Sequence, residues 1–135
     1  MRERPYHGPV ARSLVPLTRP AAGGRRVLGA WLPVVAWAAV IFALSSVPHL
    51  SSGLGTWDLV LRKLAHAAEY AVLGTLLVRA LWARLPALAL GAAYAASDEL
   101  HQHFVAGRHG SPLDAGIDVV GVAIGIVLWQ RAAAR

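Results

Sequence analysis

Nine side chains set the chemistry open to this chain: Lys63, His66 and Glu69; Asp98, Glu99 and Gln102; Arg108, Asp114 and Asp118. Each trio stands at one end of a run apolar enough to enter a bilayer. An ionisable group in such a segment is costly, and its default reading is functional. Three trios on the same side of the membrane imply one shared, ligand-binding site. His66 and Glu99 are the candidate catalytic bases. Arg108 suits bidentate capture of a phosphate or carboxylate, with Lys63 as a second positive charge. Its alternative is an internal salt bridge to Asp114 or Asp118. Asp98 and Glu99 read either as an acid/base pair or as a solvated helix end.

The spacing places these groups on helix faces. Residues three or four apart share a face. Lys63, His66, Glu69 and Tyr70 make one stripe, Gly91, Tyr94, Asp98 and Gln102 a second, and Asp114, Asp118, Gly121 and Gly125 a third. Gly121-x-x-x-Gly125 allows a neighbouring helix to approach closely. Asp118 lies one turn beyond Asp114, about 6 Å deeper, where it needs a partner, a wet pocket or a proton. His66 and Glu69 at i,i+3 resemble the pairs that hold metals in helix bundles. No His-Glu-x-x-His or comparable ligand spacing accompanies them, so neither a metal nor another cofactor is expected. His101, His103 and His109 fall in a polar segment and read as solvated.

Four apolar runs must position these groups: about Leu28–Val47, Leu64–Trp82, Leu85–Leu100 and Leu113–Trp129. The first holds twenty residues without a charge, enough to span a hydrocarbon core of roughly 30 Å. Pro33 falls near its start, where a missing N–H costs little. The third is short for a full span. Between them lie a Ser-, Gly- and Pro-rich loop from Val47 to Asp58, a short turn at Arg84–Pro86, and the polar segment His101–Pro112. Composition agrees: 56% of residues are hydrophobic and 15% charged, against about a quarter charged in soluble domains. With no cysteine, disulfides, thiolate catalysis and Cys-ligated zinc are excluded.

The net charge of +6 is a topology signal more than a nucleic-acid signal, because six arginines precede the first run. With the N-terminus in the cytoplasm, ten of thirteen basic residues lie inside, and only Arg62, Lys63 and Arg108 lie outside. Six of the seven acids fall in the outer half. The expected fold is all-α: a four-helix transmembrane bundle of the plasma membrane, both termini cytoplasmic. Residues 1–26 form a disordered basic tail and residues 27–131 the membrane domain. Trp82 and Trp129 fit interfacial anchors.

Two segments carry a resemblance. LRKLAHAAEYAVLGTLL resembles the first signature of the VanZ-like family of small bacterial membrane proteins, and SDELHQHFVAGRHGSPLDAGIDVVGVAIG resembles its second. The second is the more specific, with Asp98-Glu99, Gln102, Phe104, Gly107-Arg108, Asp114 and Gly121 at the family's spacing. Arg62 stands where the family often has an acid, and Asp118 where it often has Asn. The resemblance implies a four-helix membrane protein and a founding member associated with resistance to teicoplanin. Teicoplanin acts on cell-wall precursors at the outer membrane face.

The expected function is recognition of a polar or anionic head group by an outward-facing pocket. Its partner is the lipid bilayer, with a lipid-linked cell-wall precursor, glycan or lipoglycopeptide as ligand and no nucleic acid. Two other classes stay open. One is a membrane hydrolase or transferase using the His/Asp/Glu cluster. The other is a structural protein whose polar groups only clamp the helices.

Overall fold

The structure, a computed structural model, describes residues 24–48, 56–108 and 110–135. Four helices follow one another: α1 (Gly24–Ser45), α2 (Thr56–Leu81), α3 (Arg84–Gln102) and α4 (Pro112–Ala133). The tail through residue 23, most of the first loop and His109 lie outside the described residues. Helix α1 begins at Gly24, inside the stretch assigned to the tail.

Among the described residues, three helices are long and apolar enough to cross a membrane: Val27–Ser45, Trp57–Leu81 and Pro112–Ala133. Helix α3 differs because its buried face carries Asp98, Glu99 and Gln102 beside Ala87, Gly91 and Ala95. Its small residues let the other helices close over it, so less of its length needs to be apolar. Leu28, Leu32, Leu64, Leu85, Leu113 and Leu128 all point outward, as lipid-facing positions do.

Two helix ends have a clear local cause. Ser111 caps α4, its hydroxyl accepting from Leu113 N at 3.1 Å and Asp114 N at 3.4 Å, and Pro112 follows at the first helical position. Helix α2 stops where Trp82 takes the left-handed conformation, φ 53°, with its N–H donating to Val78 O at 2.8 Å. Helix α2 begins about two turns earlier than its apolar run, because the stretch from Thr56 to Lys63 is helical but too polar to be read as a span. Pro33 lies inside α1, not near its start. It leaves the Gly29 carbonyl without its usual donor.

Side-chain bonds fix the register. Tyr94 donates to Ala38 O at 2.6 Å and Ser45 to Asp98 Oδ2 at 2.7 Å, so α1 and α3 run parallel. Trp37 Nε1 donates to Glu69 O at 2.8 Å, tying α1 to α2. Helices α2 and α4 also run parallel and form the most extensive contact. A Cβ added at Gly121 would meet the Ala67 carbonyl oxygen, and one at Gly125 that of Ala71. Thr75 spans the same seam, reaching Gly125 O at 3.1 Å. The glycine pair thus does what its spacing implied: two backbones touch. The core is Tyr70, Leu73, Leu77 and Val78 of α2, against Ile41, Ala95, Val122 and Ile126. The C-terminal ends of α1 and α3 meet the N-terminal ends of α2 and α4 at one end of the bundle.

Candidate functional site

The end of the bundle where those four termini meet holds a cavity of about 300 Å³. Helix α2 contributes Leu59, Arg62, Lys63 and His66, and α4 contributes Asp114, Ile117 and Asp118. Glu99 and Gln102 of α3, with Gly107 and Arg108 of the following turn, complete the wall. Gly107 makes that turn possible with φ 76°, a conformation that suits glycine.

Two pairs cross from α2 to α4 in register with the glycine seam. Lys63 Nζ pairs with Asp114 Oδ1 at the open end, both side chains about 30% exposed. One turn deeper, His66 Nδ1 lies 3.6 Å from Asp118 Oδ1. Asp118 is 1% exposed, and neither of its carboxylate oxygens has a hydrogen-bond partner. The 3.6 Å separation is an electrostatic contact, too long for a hydrogen bond.

Arg108 bonds to neither acid. Its Nη2 donates to Leu44 O at 2.8 Å and its Nε to Val47 O at 3.2 Å. Leu44 is in the last turn of α1, its carbonyl also accepting from Val47 N at 3.3 Å, and Val47 follows the helix. The guanidinium therefore straps α1 to the cavity wall, and the alternative of a salt bridge to Asp114 or Asp118 is not realised. Burial, together with the neighbouring Arg62 charge, lowers the affinity of Arg108 for its proton. The planar fork still has N–H groups beyond the two used here.

Asp98 and Glu99 point to different places. Both are buried, so the solvated helix end is overturned. Glu99 lines the cavity and fixes Oε2 on Ser111 N at 2.7 Å, joining α3 to the α4 cap. Asp98 does not line it. Its Oδ2 accepts from Ser45 at 2.7 Å and Gln102 Nε2 at 3.2 Å. Its Oδ1 and the Tyr70 hydroxyl are buried without hydrogen-bond partners. Glu69 is also outside the cavity wall. His101 is no solvated loop residue: it lies in the last turn of α3, stacks on Phe42 with centroids 4.4 Å apart, and lies 3.0 Å from Ser46 Oγ.

Seven of the nine expected side chains thus line one cavity: Lys63, His66, Glu99, Gln102, Arg108, Asp114 and Asp118. Asp98 and Glu69 flank it. Sequence reasoning left Arg62 out of the set, although it named it as an outer cation. It also overlooked Ser45 and Ser111, whose small hydroxyls give no signal until a carboxylate is placed beside them.

Comparison with curated protein sequences gives no match, and comparison with solved structures gives none. The sequence model of the VanZ/LLP1 family matches residues 25–133, from the start of α1 to the end of α4. This chain belongs to the VanZ/LLP1 family.

Proposed function

We propose that this is a multi-pass plasma-membrane protein, with both termini cytoplasmic, whose cavity opens outward and recognises a polar, anionic head group. A lipid-linked cell-wall precursor, a glycan or a lipoglycopeptide has the required chemistry, and binding one would let the protein contribute to glycopeptide resistance. One observation carries the reading. Arg62, Lys63 and Arg108 converge on a single cavity between helices that otherwise present apolar side chains outward. Lys63 already pairs with Asp114, whereas neither Arg62 nor Arg108 forms an ion pair among the described residues, and an anionic head group supplies that counterpart. The positive-inside bias puts that end at the outer leaflet.

Binding of farnesyl phosphate to the protein in neutral-detergent micelles tests this, with farnesol as the uncharged control. Tryptophan emission supplies the readout, since the chain has five tryptophans. A preference for the phosphate that falls in Lys63→Met supports the reading. Equal binding of phosphate and alcohol overturns it.

The His66–Asp118 contact favours a second reading, a hydrolase or transferase with His66 as general base oriented by Asp118. In that case His66→Gln abolishes turnover while ligand still binds.

A further inference from the structure

The wall of the cavity is electrically balanced: Arg62, Lys63 and Arg108 against Glu99, Asp114 and Asp118. A pocket for a simple polyanion has no use for three carboxylates, each of which repels the ligand. The carboxylates differ in depth. Asp114 stands at the open end beside Lys63, both about 30% exposed, whereas Asp118 is 1% exposed. Asp118 is the least satisfied group of the wall. His66 lies 3.6 Å from Oδ1, and neither oxygen accepts a hydrogen bond. A buried carboxylate in that condition is expensive, and a donor that arrives with the ligand would relieve it. Gln102 adds an acceptor, because its Nε2 is already committed to Asp98 and its carbonyl oxygen is not a donor.

Resting on the head-group reading above, we propose that the occupant is zwitterionic: a primary ammonium beside a phosphate. The ammonium, with three N–H donors, sits against Asp118, Gln102 and Glu99. The phosphate stays toward the mouth, with Arg62 and Lys63, and reaches the N–H groups of the buried Arg108 that Leu44 and Val47 leave unused. A phosphoethanolamine group has this chemistry. A quaternary ammonium does not, since it donates no hydrogen bond. A glycerol head group brings hydroxyls and no positive charge.

Binding of dihexanoyl phosphatidylethanolamine, phosphatidylcholine and phosphatidylglycerol to the full chain in neutral-detergent micelles tests the assignment. Free phosphoethanolamine is the arm that separates head group from lipid. The ethanolamine lipid should bind roughly tenfold tighter than the other two, as loss of one charge-assisted contact implies. If free phosphoethanolamine competes, the head group suffices; if it does not, the acyl chains are needed to seat the same ammonium, and the lipid preference still supports the proposal. Asp118→Asn should erase the preference and tighten the glycerol lipid, by removing a negative charge. Should that variant fail to fold, Glu99→Gln must narrow the preference in the same direction, and the comparison among the three lipids stands on the unaltered chain. Equal binding of the ethanolamine and glycerol lipids, or tighter binding of the latter, overturns the ammonium assignment and leaves the anionic reading intact. No binding of any of the three overturns both.

Discussion

Adding one methyl group at Gly121 should loosen the bundle and open the cavity together. The new Cβ would lie 2.5 Å from the Ala67 carbonyl oxygen and 3.2 Å from two further Ala67 backbone atoms. Ordinary carbon–oxygen contacts begin near 3.3 Å, so α4 must back away by about 0.8 Å. The obstacle is main chain in the middle of α2 and has no rotamer to escape into. Overpacking of this kind costs about 1–3 kcal/mol. The displacement also falls where it hurts the site, because Asp118 is three residues before Gly121 and faces His66, one residue before Ala67. Gly116→Ala is the matched control on the same helix. Nothing lies within 4 Å of its Cβ, so the substitution should be neutral or stabilise by about 0.5–1 kcal/mol. Reversible unfolding in bicelles, followed by tryptophan fluorescence, would compare the two variants. Equal stabilities for Gly121→Ala and Gly116→Ala would refute the close approach of α2 and α4.

Other perturbations separate the roles of individual groups. Arg108→Lys should fail to replace the fork that spans Leu44 O and Val47 O, costing about 1.5–3 kcal/mol, and hydrogen exchange should show the end of α1 opening first. In a Lys63→Met and Asp114→Asn double-mutant cycle the coupling should be only about 0.2–1 kcal/mol, since the pair is partly exposed; retention of ligand binding by the double variant would favour a mere clamp. Asp98→Ala should destabilise by about 1–3 kcal/mol by stranding the Ser45 and Gln102 donors, and should change ligand affinity only through Gln102, whose amide it orients in the cavity wall. Tyr94→Phe should lose about 0.5–1.5 kcal/mol with its bond to Ala38 O, measured in the same unfolding assay.

The helices and the grouping of polar ends were legible because both rest on local pattern. Apolar runs mark α1, α2 and α4, and i,i+4 spacing puts Asp114, Asp118, Gly121 and Gly125 on the face that meets α2. What escaped depends on partners distant in sequence. Nothing local says that Arg108 will meet main-chain carbonyls sixty residues earlier in place of an acid. Asp98 and Glu99 are neighbours, yet a helix turns successive side chains about 100° apart, and only Glu99 reaches the cavity. Helix α2 extends past its apolar run because hydropathy cannot distinguish a polar helix turn from a loop. Hence the helical stretch before Lys63 was hidden, and with it Arg62 as part of the wall.

Which side of the membrane the cavity faces decides whether it can meet an extracellular head group at all. The chain contains no cysteine, so single cysteines can be placed without background. Ala106→Cys beside the cavity wall and Phe104→Cys on the same turn should react with a membrane-impermeant maleimide on intact cells, while Ala133→Cys at the far end of α4 should react only after permeabilisation. Labelling of Ala133→Cys from outside, with the other two protected, would put the charged cavity in the cytoplasm and contradict the account.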